Sequence, residues 1–308
     1  MQFGIREICD VVFKAKSSGK LGKMDYVAGQ PVLYIDTAKT STLEGAATSV
    51  YATGGRGNTR LITWEGEKTL TFTVEDALLS PIGFAMLSGA GLLDANNDEP
   101  VYVHVSSMTN TDANGKIDLQ ALDILKDGEV VSEKSPIFIM KVEDGSVTEM
   151  LKASYTAATE DAGETFAVTD AEDAVVARQD VFVDFYVEKK SGVQELTIDA
   201  ENFAGNYYVE ASTLFRRRSD GKDLPAELVF PNVKIQSNFT FSMASTGDPS
   251  TFTFTMDAMP GYTRFDRNKK VLCAIQIVND DKDDIGGGKD SVENLAHPEE
   301  LYPTDDLI

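Results

Sequence analysis

Residues 68–75 read Lys-Thr-Leu-Thr-Phe-Thr-Val-Glu, and apolar and polar side chains alternate along them. A period of two is typical of a β-strand with one buried face, because successive side chains of a strand point to opposite faces. Leu70, Phe72 and Val74 are therefore predicted to face a core, while the threonines between them line an exposed face. This stretch predicts a β protein.

Other β-type segments support that prediction. Short runs of β-branched and aromatic residues occur at residues 101–105, 181–187 and 270–278. Residues 239–243 and 251–256 alternate on either side of a Gly-Asp-Pro turn at 247–249, which predicts a hairpin. The predicted fold class is mainly β, a barrel or sandwich with one or two short helices.

Two distant segments share one alternating residue pattern. Residues 70–77 and 252–258 each alternate threonine with apolar residues and then end in an acidic residue and alanine. They are interpreted either as unrelated strands that leave into Asx-type turns, or as two strands related by pseudo-symmetry in one barrel.

The clearest helix signal is Ser80 followed by Pro81. Serine is a favoured N-cap, and proline at the first helical position loses no hydrogen bond there. This helix is predicted to end near Gly89 or Gly91. Leucines at helical spacing favour a second helix over residues 118–125, and a third is considered around residues 145–153.

The charge balance excludes several function classes. The chain has 308 residues, with 28 Lys+Arg against 50 Asp+Glu, so the net charge is −22. Such a chain is a poor ligand for nucleic acid or for an anionic membrane, since both are bound through lysine and arginine. With 42% hydrophobic residues the composition is that of a folded protein.

The first residues and the cysteines indicate a compartment. Cys9 and Cys273 are the two cysteines, which favours a reducing compartment and free thiols. The N-terminal residues carry charges where a signal peptide needs an apolar core, and no apolar run approaches the ~20 residues of a membrane helix. The expectation is a soluble protein made in the cytosol.

Changes in composition predict the domain organisation. A polar linker at residues 94–100 precedes an Ala-, Asp- and Glu-rich region. Strand-like segments rich in Thr and Phe resume near residue 181. Residues 1–99 and 181–278 are predicted to form one discontinuous β domain. Residues 100–180 are predicted to be an inserted outer domain, α+β or β, and residues 279–308 an acidic C-terminal extension.

No segment predicts a catalytic, cofactor or metal site. His104 lies in a predicted strand and His297 in the acidic terminal segment, and no nucleophile pattern accompanies either. Residues 110–118 place oxygen ligands as an EF-hand loop does, but position twelve, which needs a glutamate, is Ala121. Calcium binding stays an alternative to an Asn/Gly turn.

Arginines are scarce, so their clusters are candidate contacts. Arg216, Arg217 and Arg218 precede an Asp-Gly turn, and Arg56 and Arg60 flank a Gly-rich turn. These five residues are the candidate inter-subunit contacts, since their charges could pair with the acidic surface of another copy. The alternative for residues 216–218 is a solvated hairpin tip.

Residues 51–58 and 61–78, together with 230–243 and 252–258, resemble the tail-tube proteins of long-tailed bacteriophages. The resemblance implies a small β-barrel or sandwich with a flanking helix, assembled as hexameric rings that stack into a hollow tube. It also implies inter-ring contacts through a long loop and through sheet edges, and residues 36–60 are the best candidate for that loop.

This resemblance implies a structural role in the virion tail, without cofactors. The partners would be other copies, with sheath, tape-measure and baseplate proteins, and DNA would pass through the channel unbound. Carboxylates lining the channel would repel DNA phosphates; alternatively they lie on residues 100–180 and the terminal extension. Another virion protein, such as a capsid or decoration protein, is the alternative, followed by a carbohydrate- or calcium-binding β module and then an enzyme.

Overall fold

The computed structural model describes residues 2–279 except 123, 126–129, 133, 160–162, 199, 241–242, 244 and 247–249. Its described part is mainly β, with one short helix, so the predicted fold class is confirmed. No helix in these residues is long and apolar enough to cross a membrane.

The strands are given in chain order. The first eight are β1 Phe3–Ile5, β2 Asp10–Ala15, β3 Gly19–Leu21, β4 Met24–Tyr26, β5 Pro31–Ile35, β6 Ala38–Gly54, β7 Thr59–Asp76 and, after helix α1 Pro81–Ser88, β8 Gly91–Asp94. The next seven are β9 Val101–Asn110, β10 Lys116–Asp118, β11 Val130–Val131, β12 Phe138–Glu143, β13 Ser146–Thr156, β14 Thr165–Thr169 and β15 Asp180–Lys189. The last five are β16 Gln194–Thr197, β17 Asn206–Arg217, β18 Asp223–Ile235, β19 Phe252–Ala258 and β20 Ala274–Ile277.

The larger sheet has nine antiparallel strands and curls into a half-barrel. Its order is β5-β2-β17-β18-β19-β7-β6, with β1 beside β17 and β20 beside β18. Phe72 and Val74 of β7 are buried, as their alternation predicts. The ring of Phe72 stacks on that of Phe230 with centroids 4.9 Å apart, so the core face of the sheet packs across strands distant in sequence.

Residues 70–77 and 252–258, which share one alternating pattern, lie in neighbouring strands of this sheet. β7 pairs with β19, and the register places Phe72 opposite Met256 and Val74 opposite Phe254. All four side chains are buried. Because paired residues share a face, the same alternation in both strands puts their apolar residues together in one core.

Helix α1 begins and ends where its capping residues predict. The Ser80 hydroxyl accepts a hydrogen bond from the Gly83 amide at 2.9 Å, and Gly89 closes the helix in the left-handed conformation, with φ 74°. Met86 and Leu87 reach the core of the larger sheet. The helix therefore lies against the core face of that sheet.

The other two predicted helices are wrong. After β10, the Asp118 carboxylate accepts a hydrogen bond from the Ala121 amide at 2.9 Å, so a turn replaces the helix that the leucine spacing suggested. Residues 146–153 lie in β13, which forms a hairpin with β12. The turn Asp144-Gly145 has positive φ at both residues, as a tight hairpin requires.

A second, seven-stranded sheet holds the middle of the chain. Its order is β10-β14-β13-β12-β15-β11, with β9 beside β15, and it surrounds its own core around Phe166 and Phe185. β15 pairs with β9 along its whole length. Residues 181–189, assigned from sequence to the first domain, therefore belong to the second sheet. The described residues between 100 and 180 contain strands and no helix, which favours the β form of the expected insertion.

The hairpin predicted around residues 247–249 is not formed as expected. Phe239 and Thr240 are outside any strand, and the turn itself lies outside the described residues. β19 pairs with β7 and β18 instead. The acidic extension falls outside the described residues from residue 280 onward.

Candidate assembly surfaces

A long hairpin arm projects from the larger sheet. β6 and β7 are 17 and 18 residues long and pair from Ala38 opposite Asp76 to Gly54 opposite Thr59. β19 covers only residues 71–76 of β7. Residues 45–70, named here the hairpin arm, are therefore a two-stranded ribbon beyond the sheet. The loop predicted at residues 36–60 is mostly strand β6, and its turn is residues 55–58.

One face of the hairpin arm carries exposed apolar side chains. Val50 lies opposite Trp64, and Ala52 lies opposite Ile62, so these four residues share a face, named here the apolar arm face. Val50 is 64% exposed, Ile62 55% and Trp64 53%. Large apolar side chains grouped in this way mark an interaction site.

Two of the candidate arginines lie at the tip of this arm. Arg56 is exposed in the turn. The Arg60 guanidinium lies 4.0 Å from the centre of the Tyr51 ring, a cation–π contact across the two strands. Arg60 therefore contacts the other strand of the arm itself, whereas the charge of Arg56 is exposed at the tip of the arm.

The other three arginines have different environments at the β17–β18 turn. Arg216 forms a two-point ion pair with Asp223, at 2.7 and 2.6 Å, on the surface. Arg217 is only 6% exposed and pairs with Asp220, its Nε donating at 2.9 Å. The Arg218 guanidinium donates to the side-chain oxygen of Gln2, and its amide donates to the Gln2 carbonyl at 2.9 Å.

These contacts divide the arginine cluster. The Arg217 hydrogen bond is the main reason that the pKa of Asp220 is lowered to about 2. A buried guanidinium with its own carboxylate stabilises the turn and is unavailable to another copy. Arg216 and Arg218 are exposed, so they are the members of the cluster that a partner could reach.

The solvent-side face of the larger sheet is lined by threonines. Thr73 lies opposite Thr42 on one side and Thr255 on the other, and Thr253 lies opposite Glu75. This face is named here the threonine face. Thr69 on it is exposed, whereas Thr71 and Thr73 are half-buried, so the exposed side predicted for residues 69–73 is confirmed in part.

Carboxylates outnumber cations on the same side of the sheet. Among the described strands, the acidic residues there are Asp10, Glu44, Glu75, Glu210, Asp223, Glu227 and Asp257, and the basic ones are Lys14, Arg216 and Lys234. Lys14 forms an ion pair with Glu210. Burial, then the charge of Glu210, raises the pKa of Glu227. The threonine face therefore presents neutral hydroxyl groups and carries a net negative charge.

The described residues contain no group of three or more His, Cys, Asp or Glu side chains placed to hold a metal ion. In the calcium-like segment, the Asp112 carboxylate accepts the amides of Asn114 at 2.7 Å and Lys116 at 2.8 Å. These backbone hydrogen bonds lower the pKa of Asp112. They form an Asx turn, which matches the turn alternative.

The remaining reactive side chains are separate from one another. His104 contacts the Asp184 carboxylate at 2.9 Å on the exposed side of the second sheet, and His297 lies outside the described residues. Cys9 and Cys273 are free thiols. Burial raises the pKa of both, that of Cys273 to about 11, which makes them poor nucleophiles.

Comparison with known families shows which family the chain belongs to. Residues 3–270 match the YomU/Tube protein family. The chain belongs to this family. The resemblance to phage tail-tube proteins is therefore confirmed, and the YomU/Tube chain is a tail-type structural protein of the virion that works as an oligomer. A search of curated proteins found no match.

The match also covers the middle of the chain. Residues 100–180 lie outside the segments that resemble tail-tube proteins in sequence, and the YomU/Tube match spans them and the whole second sheet. Sequence reasoning also missed the apolar arm face. Ile62 and Trp64, two residues apart with Thr63 between them, were a signal for it, but such spacing alone does not tell a buried face from one left open for a partner.

Proposed function

We propose that this chain is the subunit of a bacteriophage tail tube, in which hexameric rings stack around a channel for DNA. The observation that carries the proposal is the hairpin arm with its apolar face. An isolated two-stranded ribbon is marginally stable in water, and three large apolar residues of the apolar arm face, Val50, Ile62 and Trp64, are exposed. Burying each large apolar side chain contributes about 1.5–3 kcal/mol, so the arm gains stability by docking on a neighbouring subunit.

The ends of the larger sheet support a ring. In the described part of the chain, β5 and β6 are the outermost strands, and each has one pairing partner. An unpaired strand edge binds another strand through its free N–H and C=O groups. Edge-to-edge contact between copies would therefore continue the half-barrel from one subunit to the next and close it around a channel.

The threonine face is the proposed channel lining. The core face of the same sheet is covered by α1, so the threonine face is the side left to face a lumen. Its net acidic character repels DNA phosphates, and its hydroxyls offer no charge for them to bind. DNA would pass without being held.

The second sheet is the proposed outer unit of the subunit. We place the division at residues 101–189 for this unit, with residues 1–99 and 190–278 in the tube unit, since β15 pairs within the second sheet. Sheath, tape-measure and baseplate proteins are the proposed tail partners, and assembly is proposed to take place in the host cytoplasm.

Electron microscopy of the purified chain tests this function. The unchanged protein is expected to form rings or tubes with six-fold symmetry. The double variant Ile62→Ser/Trp64→Ser should give folded subunits that no longer stack, because the apolar arm face is lost.

The matched control is Met108→Ser/Met150→Ser, which removes two exposed apolar residues from the second sheet. This control should still form tubes. Closed shells would favour the capsid alternative, and tubes formed normally by the arm variant would contradict the role of the arm.

A further inference from the structure

The segment between β19 and β20 contains a loop that concentrates positive charge. Residues 261–271, named here the basic loop, hold four cations against one carboxylate, Asp266. The cations are Arg264, Arg267, Lys269 and Lys270. The basic loop therefore has a net charge of +3 in a chain whose net charge is −22.

The basic loop is fixed to the larger sheet. Gly261 and Val271 exchange two backbone hydrogen bonds, at 3.0 and 2.8 Å, which close the loop at its base. The Arg264 guanidinium donates to the Gly29 carbonyl at 2.7 Å and lies 5.2 Å from the centre of the Tyr208 ring. Arg264 is therefore the anchor of the loop, and the other three cations are not used in this way.

The outer part of the basic loop combines charge with an apolar side chain. Arg267, Lys269 and Lys270 are exposed, and none has a carboxylate within ion-pair distance among the described residues. Phe265 is 90% exposed. An exposed phenylalanine beside three such cations fits a partner surface that is both apolar and acidic.

A concave surface of that kind lies on the same chain. Its volume is about 540 Å³, and Glu7, Asp10 and Glu227 line it, so it is named here the acidic groove. In the part of the chain that the structure describes, no lysine or arginine lines the groove, and none of its three carboxylates forms an ion pair. Arg216 lies beside Glu7 at the adjoining surface but is held by Asp223.

The acidic groove also has an apolar part. Three half-exposed apolar side chains line it: Ile8, Leu214 and Val278. The groove thus offers carboxylates and apolar surface together, which is the combination that matches Phe265 and the cations around it.

The basic loop and the acidic groove of one chain are separate sites. No residue of the loop lines the groove. Arg264 holds the loop at Tyr208, and the groove is reached at Ser212 of the same strand, about 14 Å further along. The groove is therefore open to a second copy. A contact between two different surfaces is heterologous, so it can repeat from copy to copy.

We propose that the basic loop of one copy binds in the acidic groove of a second copy, with Phe265 on the apolar side chains and Arg267 and Lys269 facing the carboxylates. The proposal rests on the proposed function and deepens it, since it names one contact through which the subunits meet. Opposite charges on the two surfaces select the partner and its orientation more than they add affinity.

Such docking would also pair cations that lie on the side proposed to face the channel. Tyr208 lies opposite Lys14, so Arg264 and the loop that it holds are on the same side of the sheet as the threonine face. Cations left unpaired there would attract DNA phosphates. Binding in the acidic groove places carboxylates beside them.

Cysteine cross-linking of the full chain tests the contact. Asn268→Cys places a thiol on the basic loop, and Ser212→Cys places one in the acidic groove, both at exposed positions. Under mild oxidation this double variant should form a ladder of covalent oligomers, several-fold stronger than in either single variant. The matched control is Asn268→Cys/Ser154→Cys, whose second thiol replaces an exposed serine of β13 and should give no ladder.

Charge reversal in the double-cysteine chain tests the pairing. Arg267→Glu/Lys269→Glu should abolish the ladder, because like charges would then face each other across the contact. Adding Glu7→Lys/Glu227→Lys to that chain should restore the ladder. Rescue of this kind separates a lost contact from a subunit that fails to fold.

Three results would overturn the proposal. They are the absence of a ladder in a sample that forms tubes, a ladder of equal strength in the Ser154→Cys control, and a ladder that survives charge reversal of the loop. The first leaves the tube function standing and refutes this contact alone. A ladder without rings or tubes would instead support the contact and contradict the proposed function.

Discussion

At the scale of single residues, the Arg217–Asp220 pair shows that burial decides whether an arginine stabilises its own turn or stays accessible to a partner. Three consecutive arginines look equivalent in sequence. In the structure Arg217 is buried and held by Asp220, whereas Arg216 and Arg218 are exposed. Because a buried cation without its partner is costly, this pair stabilises the turn.

The pair predicts a pH dependence of stability. The folded pKa of Asp220 is about 2, below its ordinary value of 3.8. A lowered carboxyl pKa contributes stability above pH 3.8 and loses it as the pH falls toward 2. Asp220→Asn should therefore be less stable to urea at neutral pH and should lose less stability than the unchanged protein over that acidic interval.

Asp173→Asn is the control for this measurement. Asp173 pairs with Lys152 at 2.7 Å, but both side chains are largely exposed. Exposed pairs contribute little, so the change should be within about 0.5 kcal/mol. Equal effects of the two substitutions would contradict the role given to burial.

At the scale of secondary-structure elements, local signals were reliable where a few neighbouring residues decide the outcome. The N-cap, proline and C-cap of α1 all lie within ten residues of one another. The predicted helix over residues 118–125 failed because leucine spacing is compatible with turns whose leucines are buried by a sheet.

The end of α1 offers a test at this scale. Gly89 has φ 74°, and a Cβ there would lie 2.5 Å from the Phe203 carbonyl carbon. Gly89→Ala should lower the free energy of unfolding by more than about 2 kcal/mol, from backbone strain and the clash together.

Gly91→Ala is the matched control, since a Cβ there meets nothing within 4 Å. It should change stability by less than about 1 kcal/mol. Thermal or urea unfolding measures both variants. A small effect at Gly89 would show that the left-handed cap is dispensable.

At the scale of the whole molecule, the larger sheet separates two faces with different roles. One face packs the core and α1, and the threonine face is proposed to line the channel. The net charge of the chain does not reveal this division, because carboxylates also occur on the second sheet and in residues 280–308.

Adding positive charge to the threonine face tests the lining. Phage carrying Thr42→Lys/Thr253→Lys should assemble tails but release DNA more slowly, because the lysines would attract the phosphates. Thr148→Lys/Thr156→Lys, on exposed positions of the second sheet, adds the same charge elsewhere. Equal release by both variants, followed by DNA dye uptake, would argue against the lining.

The sequence by itself determined the mainly-β class, the buried alternation of residues 70–74, the helix after Ser80 and the family resemblance. Each depends on residues that are close along the chain, through side-chain period or capping. Only the tertiary structure decided that β7 pairs with β19, that β15 belongs to the second sheet, that residues 38–54 form one long strand whose outer part lies in the hairpin arm, and that Arg217 is buried. These features require contacts between distant residues, such as Val74 with Phe254. An alternating strand can pair with any free edge, so its pattern does not specify its neighbour.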